Sequence, residues 1–237
     1  KNLRGTVILS WTSELLEIYE YNCNSGRKFS DGEPEMLPIA HSTANAQIEV
    51  TISEDGEFRG ASAVDKDNAK TVIPATENSA TRSGAIPMPF DDKLVYIAGD
   101  YGKYVVGKRS DNENFFLSYM NQLCRWYESP YANKAVKALY SYLDKRTLMS
   151  DLVRAGVLKN DEETGKLASG VKIATIEQED SFVRFIIEND PPLKTWDNEL
   201  CKKYGLDMVG DFQKFNATLV GEKQLCQVLC AYRIFLP

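Results

Sequence analysis

The sequence predicts an α+β fold: an N-terminal antiparallel β-meander with helices, then a central helical layer, then a second small β unit. Three observations carry this. Ile48, Val50 and Ile52 alternate with Glu49 and Thr51 ahead of Asp55-Gly56, the period and turn chemistry of a hairpin. From about residue 115 the apolar spacing changes to the three-and-four pattern of amphipathic helices. After a polar turn at Asn160–Lys166, short β-branched and aromatic runs return.

Taken in order, Ser10–Tyr21 reads as a helix, with Trp11, Leu15, Ile18 and Tyr19 at helical spacing and Ser10 or Thr12 able to cap it. Asn24–Pro34 is turn-rich. Leu37–Ala40 and Ala46–Ile52 read as extended, Phe58–Val64 as the return strand after Asp55-Gly56, and Thr71–Ile73 as a third strand. Phe115–Glu128 carries Phe116, Tyr119, Met120, Leu123 and Tyr127 on one stripe, and Pro130 ends it. Asn133–Lys145 repeats the pattern with Val136, Leu139, Tyr140 and Leu143. Leu148–Ala155 is a third helix that stops at Gly156, where a left-handed residue is wanted. Val171–Ile176 and Phe182–Ile187 read as strands, a pair closed by Asp190-Pro191-Pro192. Trp196–Tyr204 is a short helix, and Ala217–Val220 and Leu225–Leu229 are weak strands. The regions divide as 1–110 (β-rich), 111–158 (helical layer) and 159–237 (small α/β region).

Composition narrows the chemistry. The chain has 237 residues, 43% hydrophobic and 26% charged, an ordinary globular balance. Nothing approaches the run of about 20 apolar residues that a membrane helix needs, and TVILSW is too short for a signal peptide. Five scattered cysteines without a CxxC pair argue for reduced thiols and a cytoplasmic location. The single histidine, His41, excludes multi-histidine metal sites, and no GxSxG, P-loop or GxGxxG motif is present. The expectation is a protein without metal, cofactor or catalysis. Asp91, Asp92 and Asp100 keep a carboxylate-dependent hydrolase open, although such residues also serve as caps and turns.

Thr71–Asp100 stands apart. Its strand run stops at Pro74, and Arg82 is the one charge between Glu77 and Asp91. Pro87 and Pro89 bracket Met88 before the chain turns apolar at Leu94–Ile97. A long segment with apolar anchors at both ends reads either as a functional loop or as a plain surface connection. Charge is unevenly spread. The net charge is −6, but residues 1–60 hold five basic and ten acidic residues, whereas 82–158 hold eleven basic and eight acidic. The second stretch reads as solvated helix faces or as a local surface for a phosphate backbone.

Four segments, LSWTSELLEIYE, LPIAHSTANAQIEVTISEDGEFRGASAV, TVIPATENSATRSGAIPMPFDDKLVYIAGDY and SYLDKRTLMSDL, occur in an order that resembles one family. It is the large subunit of the type I-C CRISPR surveillance complex (Cascade), a Csd-type CRISPR-associated protein. SFVRFIIE followed by Trp196 is similar to that family too. Family members are longer, so the chain is expected to be an N-terminal part, and its end, LCQVLCAYRIFLP, lacks the family's Thr-Gly-containing segment.

The resemblance implies a non-catalytic subunit that reads the PAM in double-stranded DNA while the guide RNA reads the target. Its implied partners are the guide-RNA ribonucleoprotein with its 5′-end-binding subunit and a helicase–nuclease; no membrane is involved. The family's PAM-contacting loop matches Arg82-Ser83-Gly84, just before Pro87-Met88-Pro89. In that role Gly84 permits close backbone approach, Ser83 can exchange a hydrogen bond with a groove edge, and Arg82 can enter the groove or hold a phosphate. Some relatives carry a longer amide where Ser83 stands. Thr81 and Lys93 are expected as further contacts, with Lys103, Lys108 and Arg109 on phosphates further out. The alternatives are a protein–protein scaffold in the same kind of assembly and the carboxylate-dependent hydrolase.

Overall fold

The computed structural model describes residues 16–18, 20–21, 40–76, 88–107 and 110–219. The chain divides into two compact units, one of residues 1–41 and 216–237 and one of residues 42–215. In the first, residues 16–18 and 20–21 are helical (α1), within the expected Ser10–Tyr21 helix. The rest of that helix, the Asn24–Pro34 turn, residues 37–39 and the Leu225–Leu229 strand lie outside the described residues. Ala40 is in a turn with φ 66°, not extended.

The larger unit is α+β, as the patterning predicts. β1 (His41–Asn45) pairs with β4 (Lys70–Pro74) in a two-stranded sheet. β2 (Ile48–Ile52) and β3 (Phe58–Ala63) form the antiparallel hairpin. Ile48, Val50 and Ile52 are buried while Glu49 and Thr51 are half-exposed, so the period-two pattern maps directly onto one packed face. Gly56 takes φ 77° in the turn, and a Cβ there would lie 2.7 Å from the Ala138 carbonyl oxygen. Only glycine meets both requirements.

β8 (Phe182–Ile187) runs parallel to β2, from Ile48 opposite Val183 to Ile52 opposite Ile187. On its other edge β8 takes two short antiparallel partners, β5 (Asp92–Lys93) at Phe182 and Val183 and β9 (Leu193–Lys194) at Ile186 and Ile187. The Asp190-Pro191-Pro192 turn, cis at Asp190-Pro191, therefore joins β8 to β9 and does not close a pair with residues 171–176. Those residues form their own hairpin, β6 (Lys172–Ile173) and β7 (Ile176–Glu177), reversed at Ala174 with φ 55°.

Short helices α2 (Leu94–Ile97) and α3 (Tyr101–Tyr104) lead to α4 (Glu113–Tyr127), α5 (Lys134–Leu143) and α6 (Leu148–Arg154). The buried stripe of α4 is Phe116, Tyr119, Met120, Leu123 and Trp126, whereas Tyr127 is 38% exposed. On α5 Tyr142 is buried, and Tyr140 lies half-buried with its ring stacked on Tyr127 at 4.6 Å. In both helices the last buried aromatic follows the three-residue step, because there it meets another ring. Trp126 packs on Phe90, Phe212 and Phe215, and Tyr142 packs on Phe185.

α7 (Asn198–Lys203) and α8 (Met208–Leu219) complete the described chain. α8 replaces the strand expected at Ala217–Val220, at least as far as Leu219. Met208, Val209, Phe212 and Phe215 are buried at helical spacing, and this periodicity outweighs the β preference of its last residues. Among the described residues no helix is long and apolar enough to cross a membrane.

Candidate nucleic-acid interface

Of the segment singled out in the sequence, residues 71–76 and 88–100 are described. Thr81, Arg82, Ser83 and Gly84 lie outside the described residues, as do Lys108 and Arg109. Its two flanks converge. Ile73 on β4 and Met88 belong to one buried apolar cluster with Ala46 and Phe182, and Ala44 packs against it. Polar bonds secure each flank. Gln213 donates from Nε2 to the Ala75 carbonyl at 2.7 Å, and the Met88 N–H donates to Asp92 Oδ2 at 2.6 Å. Asp92 also accepts from the Lys93 N–H at 2.7 Å.

The three aspartates considered for hydrolysis are backbone acceptors. Between β5 and β9 no described strand lies opposite Phe185, and side chains bond that stretch of the β8 edge. Asp91 Oδ1 accepts from the Phe185 N–H at 3.1 Å, and Thr195 Oγ1 donates to the Phe185 carbonyl at 2.8 Å. Burial pushes the Asp91 carboxyl well above its ordinary value, against the opposing influence of that N–H and of Arg184. Asp100 accepts from the N–H groups of Met149 and Ser150, both at 3.0 Å. It thereby caps α6 from outside the helix, whose own N-cap residue Thr147 makes no such bond.

Lys93 and Lys103 are exposed and make no ion pair with another described residue. Lys166 Nζ donates to the Lys103 carbonyl at 2.7 Å, which brings a second ammonium to that position. Sequence reasoning missed Lys166 because the two lysines are joined only through the tertiary fold. Much of the remaining basic stretch is internally neutralised. Lys134 pairs with Glu54, Lys145 with Glu57, Arg146 with Glu113 and Arg154 with Asp151. The Lys145 bond holds the Glu57 carboxyl below its ordinary range. The acidic first quarter and the basic middle of the sequence thus answer each other across the β2–β3 hairpin and α5.

A second polar feature lies on the sheet face that Glu49 and Arg184 share. Arg184, with a side chain only 5% exposed, pairs through Nη2 with Glu49 at 2.9 Å. Its Nη1 donates to the Asn68 carbonyl at 2.9 Å, and its guanidinium stacks on the Trp196 ring at 3.8 Å. The signal for it was present in SFVRFIIE, because a charge inside a buried apolar run must find partners.

The comparison with curated proteins returns no match. A family model does match, over residues 15–228, and its description is CRISPR-associated protein (Cas_Csd1). That span takes in every described strand and helix, and the chain belongs to this family of CRISPR-associated proteins.

Proposed function

We propose that the chain is a non-catalytic, DNA-reading part of the large subunit of a type I-C RNA-guided defence complex, with the PAM contacted from the segment between Thr76 and Met88. The observation that carries this reading is the apolar cluster that joins the two described flanks of the segment. Ile73 and Met88 meet in one cluster, so the residues on either side of the stretch containing Arg82, Ser83 and Gly84 are held together. Binding groups gain precision when rigid elements hold their flanks. Lys93 is exposed on β5, and Lys103 with Lys166 supplies further positive charge for phosphates. The engagement of Asp91, Asp92 and Asp100 by backbone N–H groups favours a role without hydrolysis.

In this reading the guide-RNA complex and its 5′-end-binding subunit hold the chain in place. Duplex recognition then assists R-loop formation and recruitment of the helicase–nuclease. A chain with net charge −6 gains affinity mainly inside the assembly, where weak contacts act together. A scaffold role in the same assembly is the second reading, favoured by the internal pairing of Lys134, Lys145 and Arg146.

The test is target binding by the complex reconstituted with the full-length subunit, wild type against the double variant Arg82→Ala, Ser83→Ala, on DNA with a randomised flanking motif. Loss of motif discrimination with assembly intact is expected, at about 1–3 kcal/mol if Arg82 touches a base. Unaltered discrimination would leave the scaffold reading.

A further inference from the structure

We infer that the outer edge of β3 is a docking strand for an extended, basic segment of another protein, added to the sheet by backbone pairing. β3 ends the sheet on the side away from β8, and among the described residues β2 is its one strand partner. β2 turns the N–H and C=O groups of Ile48, Val50 and Ile52 toward β8, in line with the Glu188 N–H that donates to the Ile52 carbonyl at 2.7 Å. Ala63 and Ala61 lie opposite Ile48 and Val50, so their own backbone groups point outward. No group among the described residues bonds to them. The β8 edge differs, because at Phe185 Asp91 and Thr195 take up both backbone groups.

Strand edges are ordinarily blunted by lysine, by proline or by a cover. β3 reads FRGASA, with no lysine, no proline and no buried residue, and its arginine is drawn to Glu188. A Cβ at Gly60 would meet nothing within 4 Å, so packing gives no reason for a glycine there, whereas close approach of a second backbone does. Charge then selects the occupant. Asp55 stands before β3, and Asp65 and Asp67 follow it, all exposed and without an ion-pair partner among the described residues. Within residues 55–67 only Lys66 opposes them, since Glu57 and Arg59 are paired elsewhere. A second copy paired antiparallel, edge to edge, would set Asp55 of one chain against Asp65 and Asp67 of the other. A nucleic acid would bring phosphates to the same carboxylates. An extended peptide with lysine or arginine toward both ends meets the backbone groups and the charges together. The inference does not use the segment after Thr76, so failure of motif reading leaves it untouched.

The experiment is selection of a displayed library of random ten-residue peptides on the 237-residue chain, then residue-resolved amide hydrogen exchange with the most enriched peptide, made synthetically. Without peptide, the Ala61 and Ala63 N–H groups are expected to exchange at least tenfold faster than that of Ser62, which faces β2. The enriched peptides are expected to lack proline, to carry lysine or arginine toward both ends, and to slow Ala61 and Ala63 at least tenfold. Ala61→Pro, which removes an outward N–H, should weaken binding at least tenfold with the near-ultraviolet circular dichroism unchanged. The double variant Asp65→Lys, Asp67→Lys should do the same, and it decides the matter if Ala61→Pro alters the spectrum. No enrichment, enriched peptides without basic ends, slowing that spares Ala61 and Ala63, or binding indifferent to the charge reversal would overturn the inference. Slowing of those two amides with chain concentration alone would also overturn it, by making a second copy the occupant.

Discussion

β2 and β8 run side by side in parallel register, yet they dispose of their side chains differently. β2 alternates, with three buried residues separated by half-exposed Glu49 and Thr51. β8 is buried at all six positions, Arg184 included. Backbone geometry is common to both, so the difference lies in what covers the outer face. Over Arg184 that cover is Trp196, brought back by the β8–β9 turn, and over Phe182 it is Ile73 and Met88, while Glu49 on β2 borders a cavity. Position between partners, more than local sequence, decides how buried a strand becomes.

The contrast can be broken most strongly at Phe185, which contacts Phe90 and Tyr142 on the inner face. Phe185→Ala should cost about 4 kcal/mol of unfolding free energy, read from urea denaturation. A cost under about 1 kcal/mol would mean that the neighbouring rings collapse into the space. Arg184→Ala comes next, at about 3 kcal/mol, because it strands Glu49 and uncovers Trp196. Adding Glu49→Gln should recover part of that loss. A double variant no better than the single would place the cost in lost stacking.

At the far end of β2, Gly56→Ala should cost about 2 kcal/mol, from positive φ and the approach of the Ala138 carbonyl combined. A neutral result would show that the hairpin can shift off α5.

The smallest effect is a change of slope. Asp91 holds its proton in the folded state to a pH well above its ordinary 3.8, where the unfolded chain has released it. Stability from this group is full below about pH 3.8 and falls as pH rises through the folded value. Asp91→Asn, which can still accept from the Phe185 N–H, should flatten that fall in unfolding midpoints measured from pH 4 to pH 7. Parallel profiles would assign the pH dependence to other groups.

The alternating residues of β2, the Asp55-Gly56 turn, the helical stripes and the Gly156 stop were legible because each rests on contacts within a few residues. Trp126 was not, since its burial depends on Phe90, Phe212 and Phe215, brought to it from two distant segments. The partnership of β2 with β8 spans more than a hundred residues, and no local pattern encodes it. For the site, the sequence marked the segment between β4 and β5 and both of its apolar anchors, but not that Ile73 and Met88 touch one cluster. Nor could it show Lys166 beside Lys103, or Asp91 bonding the β8 edge at Phe185.

The meeting of Ile73 and Met88 has a consequence for how such a subunit can diversify. Flanks that are already joined by the core lower the cost of exchanging the residues between them. Doubling the length of a flexible loop costs only about 0.6 kcal/mol of closure entropy, little beside what a buried cluster contributes. Residues 77–87 could therefore be replaced by stretches of other length and composition while the doorway at Thr76 and Met88 stays the same. On the proposed reading, variation in what is recognised would then proceed by substitution within 77–87 and leave the described sheet unaltered.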